Sequence, residues 1–319
     1  MIQTISVGDY PRIGDTAKHQ VLRRALHRYD AGELNTEDVE TARRNVVQQI
    51  ILEQEQYLDV ITDGQIYWQD PISHFFRHCH NVETGPLEIF FKTNRLYRKP
   101  IITEPIALRD HFLKQEYEIA QNYAEKPLRV VITGPYTLAR HVDTADFNKT
   151  LEEITLALNQ ELQTLNDSPV NEIQIDEPSF SEREPLWSAS AWRGYGSVLK
   201  ELQNNVHHRF SLNPYWTNLA PEIESIAELP VQSIQYDLAR FPFDERLLQW
   251  PGDVVLGILN AEQQRPENTE GIKKTIRQFQ QKYDVLSIST NTGVRYLSRD
   301  KAIEKVKLLQ EIKEELNHD

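Results

Sequence analysis

The sequence predicts a closed eight-stranded α/β barrel, and three observations predict it. Eight short apolar, β-branched runs recur along the 319 residues. Between them, apolar residues fall every three or four positions, the spacing of one helix face. The residues that follow each run are polar and rich in Gly and Pro. Strands that alternate with helices return by crossovers, so they pair in parallel. Closing eight such units gives a (β/α)8 TIM barrel, whose chemistry sits at the C-terminal strand ends.

In chain order, the strand runs are Ile2–Val7, Leu58–Thr62, Leu128–Thr133, Glu172–Ile175, His207–Leu212, Ser233–Tyr236, Val254–Leu259 and Val285–Ser289. Helical spacing is clearest in Leu151, Ile154, Leu158, Leu162 and Leu165, and in Ile272, Ile276, Phe279 and Tyr283. A last helix carries Ile303, Val306, Leu309, Ile312 and Leu316. The first four strand ends supply Gly8-Asp9-Tyr10-Pro11-Arg12, Asp63-Gly64-Gln65, Gly134-Pro135-Tyr136 and Asp176-Glu177-Pro178. The later four supply Asn213-Pro214-Tyr215-Trp216, Asp237-Leu238-Ala239-Arg240, Asn260-Ala261-Glu262 and Thr290-Asn291-Thr292-Gly293.

Residues 87–106 break the alternation: two strand-like pieces flank a basic turn, Asn94-Arg95-Leu96-Tyr97-Arg98. This reads as a hairpin inserted after the second strand, shielding one side of the barrel mouth. With no Gly/Ser linker and no repeat of 20–50 residues, the expectation is one barrel domain over 1–319 with that insertion.

Composition narrows the function. A single cysteine, Cys79, permits no internal disulfide and no Cys-rich zinc site. A net charge of −13 disfavours a nucleic-acid binder, which needs a basic face. No apolar run is long enough for a membrane span, and the first residues lack a basic-then-apolar leader pattern. The expectation is a cytoplasmic protein with a small-molecule site.

Five segments then resemble the catalytic barrel of the cobalamin-independent methionine synthases. Ser6–Arg12 is similar to their first-strand signature, and Leu22–Ala42 to the helical segment that follows. Leu58–Gln65, Ile132–Thr137 and Ile173–Pro178 resemble their second, third and fourth strands. The inserted hairpin also has a counterpart there. The resemblance covers the whole chain and implies methyl transfer from a methyl-folate to homocysteine, with a zinc ion binding the acceptor thiol. It implies zinc ligands in a His-x-Cys on the fifth strand, a carboxylate after the sixth and a Cys in the last loop. Laid on this sequence, those positions read Arg209, Ser211, Asp237 and Thr292. Guanidinium has no usable lone pair, and neutral hydroxyls replace thiolates poorly, so the zinc ligands are unmatched and no cofactor is expected. The amino-acid-binding Ser and Glu of the family correspond to Asp9 and Gln65, while the strand-four Asp is kept as Asp176.

Asp176 and Asp63 are therefore the expected catalytic residues. Asp9, Arg12, Gln65, Glu177, Arg209, Ser211, Tyr215, Trp216, Asp237, Arg240 and Thr292 are the expected substrate-binding residues. Arg209 is expected to point into the barrel, either pairing with Asp237 or binding an anion bidentately. Trp216 and Tyr215 could stack on a flat ligand or simply pack the rim. The cluster His74, His78, Cys79 and His80 reads as a solvated helix end rather than a metal site, and His207 and His208 as opposite faces of a strand.

The functional expectation is a methyltransferase of this family without its zinc. One alternative is a metal-free acid/base decarboxylase or lyase of the related uroporphyrinogen decarboxylase branch. Another is a non-catalytic binding barrel. A separate methyl-donor protein or a homo-oligomer would be compatible partners.

Overall fold

The computed structural model describes residues 1–91, 93–182 and 189–318. Ten strands run in chain order: β1 (Ile2–Thr4), β2 (Ile61–Thr62), β3 (Cys79–Ile89), β4 (Leu96–Leu108), β5 (Leu128–Thr133), β6 (Ile173–Asp176), β7 (Phe210–Asn213), β8 (Ser233–Asp237), β9 (Asp253–Leu259) and β10 (Leu286–Thr290). Eight of them form one parallel sheet in the order β1-β10-β9-β8-β7-β6-β5-β2. The ring closes where Ile5 bridges Val60 in parallel, with Ser6 N donating to Val60 O at 2.9 Å. The chain is thus a (β/α)8 barrel, as the alternation predicts.

The helices are α1 (Val21–Asp30), α2 (Thr36–Glu55), α3 (Ser73–Arg77), α4 (Leu113–Gln121), α5 (Pro135–Arg140), α6 (Phe147–Gln163), α7 (Ala189–Leu202), α8 (Ile223–Ile226), α9 (Thr269–Gln280) and α10 (Arg299–His318). Local chemistry sets several of these ends. Asn35 accepts from Glu37 N and Asp38 N while Asp38 accepts from Asn35 N, a capping box that starts α2. The outer ring is thin after β7 and β8, where the four-residue α8 and 3-10 turns at Ala220–Glu222 and Glu245–Gln249 stand. Pro221, Pro230, Pro242 and Pro251 punctuate that stretch, and proline removes donors a longer helix would need.

Outward strand residues such as Ile61, Leu128, Ile132, Ile173 and Ile175 pack under the helices in the main core. The barrel interior is different. Ile5, Val7, Val60 and Val255 form a small separate apolar cluster. A polar layer adjoins it: Arg129 donates to Ser211 Oγ at 2.8 Å and to Glu172 at 2.6 Å, and Gln174 donates to Val7 O at 2.9 Å. Gln235 donates to Asn291 O at 2.8 Å. Polar side chains survive there because partners inside the ring meet their hydrogen-bonding demand.

The inserted hairpin is present after β2 and is longer than its apolar pieces suggest. β3 and β4 pair antiparallel from Cys79↔Leu108 to Ile89↔Leu96, with irregularities near His80 and between Thr84 and Leu87. Its base runs to Cys79 because polar, exposed residues pair as well as apolar ones once the backbone ladder is set. Among the described residues no helix is long and apolar enough to cross a membrane.

Candidate active site at the barrel mouth

Most of the expected site residues meet at the C-terminal strand ends. Asp9, beyond β1, is buried, and its Oδ2 accepts from Arg95 Nη1 of the hairpin tip at 2.6 Å. Arg295 Nη1, from the loop after β10, lies 3.8 Å from the same oxygen. The contact is close enough that a Cβ on Gly293 would fall 2.1 Å from Asp9 Oδ1, so that position is reserved for glycine. Arg12 sits beside them, donating to Gln69 O at 3.1 Å.

Asp176 ends β6 facing inward. Its Oδ1 accepts from Gln174 Nε2 at 2.6 Å and from Asn213 Nδ2 at 3.2 Å. Burial lifts its acidity constant well above the carboxylate range. The two amide donors oppose that rise, and the charge of Asp9 adds to it. Burial thus favours the protonated form of Asp176.

On the opposite side, Asp237 accepts from the backbone of Trp216 at 3.0 Å and of Arg240 at 3.1 Å. Burial raises it to about 6, against those bonds. Arg240 grips Glu262, and Trp216 Nε1 donates to the same carboxylate at 3.0 Å. The Arg240 guanidinium lies 5.2 Å from the Trp216 ring, and Phe91 approaches that ring from the hairpin at 5.3 Å. Trp216 is thus fixed by packing and ion pairs. Both Trp216 (φ 67°) and Gln65 (φ 50°) adopt the left-handed backbone region, uncommon for residues other than glycine and concentrated at functional turns. Gln65 donates to Val131 O at 3.2 Å. Tyr215 is buried within electrostatic range of Asp176 and Asp9. Thr292 is buried after β10.

Three expected site residues lie elsewhere. Arg209 precedes β7 at the opposite, N-terminal face of the barrel. It is half exposed, pairs with Asp253, and borders a cavity of about 220 Å³ with Arg129 and Glu172. It neither points into the mouth nor reaches Asp237. The run His207–Leu212 misplaces the strand start, because β7 begins only at Phe210, and His207 and His208 lie before it. Glu177 is fully buried but accepts from Tyr136 N, Thr137 N, Thr137 Oγ1 and Tyr195 OH, anchoring the start of α5 to the end of β6. With its oxygens committed, it is a structural residue. Asp63 faces away from the mouth, behind the β2–β5 wall with Trp68, Glu116 and Tyr117. Its Oδ1 accepts from Gln65 N at 3.0 Å, so it shapes the turn that carries Gln65.

The His74 cluster is not a solvated helix end. His74 is buried, stacked on Trp68 with ring centroids 4.6 Å apart, and its Nε2 lies 2.9 Å from Glu116 Oε1. His78 stacks on Phe112 and pairs with Asp110, while buried Cys79 opens β3. Burial drives Asp63 up to about 7, helped by the charge of Glu116, and drives Glu116 up to about 8. Such groups favour folding while protonated. Their stabilisation is lost as pH rises from the unfolded carboxylate range through 7 and 8. Burial lowers His74 to about 3, so it acts oppositely, but only below about 6.5. Asp176 and Glu177 add to the same trend, and the Asp63–Glu116 pair is expected to contribute on the order of 2 kcal/mol of the stability lost between pH 6.5 and 8.5. Glu116→Gln, which keeps an acceptor for Trp68, should remove most of the pair's share. Urea unfolding at the two pH values measures it, and an unchanged slope in the variant would refute the assignment.

With this geometry in place, comparison with known proteins is direct. The profile of the family described as "Cobalamin-independent synthase, Catalytic domain" matches residues 1–315. The chain belongs to this family. A methionine synthase of Sulfolobus acidocaldarius is 24% identical over 319 residues, covering 96% of this chain and 89% of that protein. A 5-methyltetrahydropteroyltriglutamate–homocysteine methyltransferase of Thermotoga petrophila is 25% identical over 226 residues, and the match spans only 30% of that longer protein. A B12-independent methionine synthase from Shewanella sp. W3-18-1, in complex with selenomethionine, shares the fold at TM-score 0.80 with 16% identity, covering 99% of both chains. A methyltransferase from Methanosarcina mazei aligns at TM-score 0.63 and 11% identity over 98% of this chain and 94% of that one. Membership in the cobalamin-independent synthase family gives an enzyme of methyltransferase type.

Within this family member, the inward residue at the mouth end of β7 is Asn213, bonded to Asp176, while Ser211 lies lower on the strand and is held by Arg129. The strand register pairs Gln174 with Ser211 and Asp176 with Asn213, so Arg209 stands before the strand and below the mouth. Among the described residues no three His, Cys, Asp or Glu side chains gather as a metal site. The mouth residues missed from sequence are Arg95, Arg295, Tyr296, Glu262 and Asn291. The basic hairpin turn was the one signal for Arg95, since nothing local says that its tip reaches Asp9.

Proposed function

We propose that this chain transfers a methyl group from a methyl-folate-type donor to a small nucleophile in the barrel mouth without a zinc-bound thiolate. The observation that carries the reading is the side-chain set at the strand ends: Asn213, Asp237 and Thr292. One carboxylate with an amide and a hydroxyl does not fit zinc, which takes thiolates, imidazoles and carboxylates. Asn213 is moreover already engaged by Asp176.

The acceptor's lone pair attacks the methyl carbon, and the carbon–nitrogen bond of the donor breaks with its electron pair going to nitrogen. That nitrogen needs a proton. Asp176, whose protonated form burial favours, gives it and recovers one from the acceptor, a thiol in the homocysteine named for the Thermotoga relative. Asp9, Tyr215 and Trp216 shape the space around the reacting atoms.

The test is methyl transfer from 5-methyltetrahydropteroylglutamate to two thiols, homocysteine and 4-mercaptobutanoate, by purified protein, with and without a strong chelator. Chelator-insensitive transfer by protein lacking stoichiometric zinc is expected. One tightly held zinc per chain would sink the metal-free reading, and no transfer to any thiol would sink the methyltransferase reading. A second reading, an acid/base decarboxylase, rests on the same protonated Asp176 beside Arg95 and Arg295. Release of carbon dioxide from a polycarboxylate would favour it.

A further inference from the structure

The charges at the Asp9 end of the mouth do not balance. Two guanidiniums, Arg95 at 2.6 Å and Arg295 at 3.8 Å, converge on the one Asp9 oxygen. Arg12 and Arg295 both donate to Gln69 O, at 3.1 and 2.8 Å, so a third guanidinium stands close by. Arg295 spends its remaining donors on Trp68 O and Gln69 O. Arg95 does not. Its Nη2 is buried and has no hydrogen-bond partner among the described residues, while its guanidinium lies 4.0 Å from the Tyr296 ring. An unmet buried guanidinium donor is costly, and its fork suits a carboxylate.

The mouth offers a cation no comparable reception. Asp9 is taken by two arginines, and Gln65 carries no charge. Glu262 is held by Arg240, Trp216 and Asn291, and Asp237 by Trp216, Asn291 and Arg240. Asp176 Oδ1 is taken by Gln174 and Asn213, and burial disfavours the charged form of that carboxyl. A substrate ammonium placed here would meet Arg95 and Arg295 before any free carboxylate.

We infer that Arg95, carried in on the hairpin tip, is the specificity-determining residue of the mouth, and that it selects a ligand bearing a carboxylate and lacking an α-ammonium. The inference rests on the methyl-transfer reading only for the ligand skeleton, a thioether or thiol. The Arg95 fork binds the carboxylate, Arg295 adds long-range attraction, and Asp9 keeps both guanidiniums in place.

Calorimetry with three probes tests it: 4-(methylthio)butanoate, with carboxylate alone; methionine, with both charges; and methioninamide, with the ammonium alone. The butanoate is expected to bind at least as tightly as methionine, and methioninamide not measurably. Arg95→Ala should weaken the butanoate roughly 10- to 100-fold, the value of one charged hydrogen-bonded contact. Arg95→Lys, which keeps charge but loses the fork, should fall between. Unchanged circular dichroism and melting temperature would show that both variants fold. Methioninamide binding like methionine, an unaltered affinity in Arg95→Ala, or no binding by any probe would each overturn the inference. The methyl-transfer assay fails or succeeds separately. Arg95-dependent butanoate binding without transfer would leave the anion site standing and remove the methyltransferase reading.

Discussion

Asp176→Asn is expected to lower kcat/KM for methyl transfer by roughly 100- to 10,000-fold, the range that general acid–base groups contribute. The substitution separates chemistry from architecture. Asp176 uses Oδ1 to accept from Gln174 and Asn213, and asparagine presents an oxygen of the same shape at that place. What it cannot supply is a carboxyl proton held in a dry pocket. The melting temperature should therefore stay within about 2 °C of wild type, and butanoate affinity should change little. Steady-state kinetics with a parallel thermal melt decides the matter. Full activity in the variant would remove Asp176 from proton handling. A loss of activity matched by a loss of folding would assign it to structure.

Glu177→Ala should act in the opposite manner, through stability. Its carboxylate accepts from Thr137 N at 2.7 Å, Tyr136 N at 3.0 Å, Thr137 Oγ1 at 2.6 Å and Tyr195 OH at 2.9 Å. Removing it strips an acceptor from two backbone amides at the start of α5 and from two hydroxyls, all in a buried setting. At about 1–3 kcal/mol for each buried group left without its partner, partly relieved by relaxation, the loss is on the order of 4 kcal/mol. For a chain of this size that corresponds to a fall in melting temperature of roughly 6 °C. Glu177→Gln, retaining one acceptor oxygen, should recover about half. Gly134→Ala provides an independent check, because its Cβ would fall 2.3 Å from the Glu177 carboxyl carbon. A shift smaller than about 3 °C in Glu177→Ala would mean that water replaces the carboxylate and that the bonding is dispensable.

The contrast between these adjacent residues shows what a sequence carries. Asp176-Glu177-Pro178 announces a strand end with two carboxylates, and alternation alone says that neighbours on a strand face opposite ways. Which of the two looks into the barrel depends on register, set by pairing with β7. The same gap misled the reading of Arg209. Eight apolar runs were enough to place eight strands, but His207–Leu212 started the fifth one too early. A shift of a few residues carried Arg209 to the wrong end of the barrel. Asp9, Gln65, Tyr215, Trp216, Asp237 and Arg240 were legible because they follow strands whose ends are punctuated by Gly or Pro. Arg95 and Arg295 were not, since their roles come from a hairpin and a loop meeting across the mouth. The buried His74–Glu116 pair was hidden for a similar reason: Glu116 lies on a helix 42 residues away.

The closure of the ring also governs how the chain comes together. Ile2 pairs with Leu286, so β1 leaves the ribosome long before the strand that becomes its neighbour. At about 5–20 residues per second, that interval lasts roughly 15–60 s. Its other edge meets Val60 through one bridge, reinforced by Asp59, whose carboxylate accepts from Thr4 N at 2.7 Å and from Lys313 Nζ at 2.8 Å. Lys313 belongs to α10, so the β10 partner of β1 and the clamp on Asp59 both arrive long after β1 is made. During translation β1 carries an open β-edge, the feature most prone to pair with the wrong chain. Productive folding of this barrel is thus a late, long-range event, slower than its helices alone would suggest.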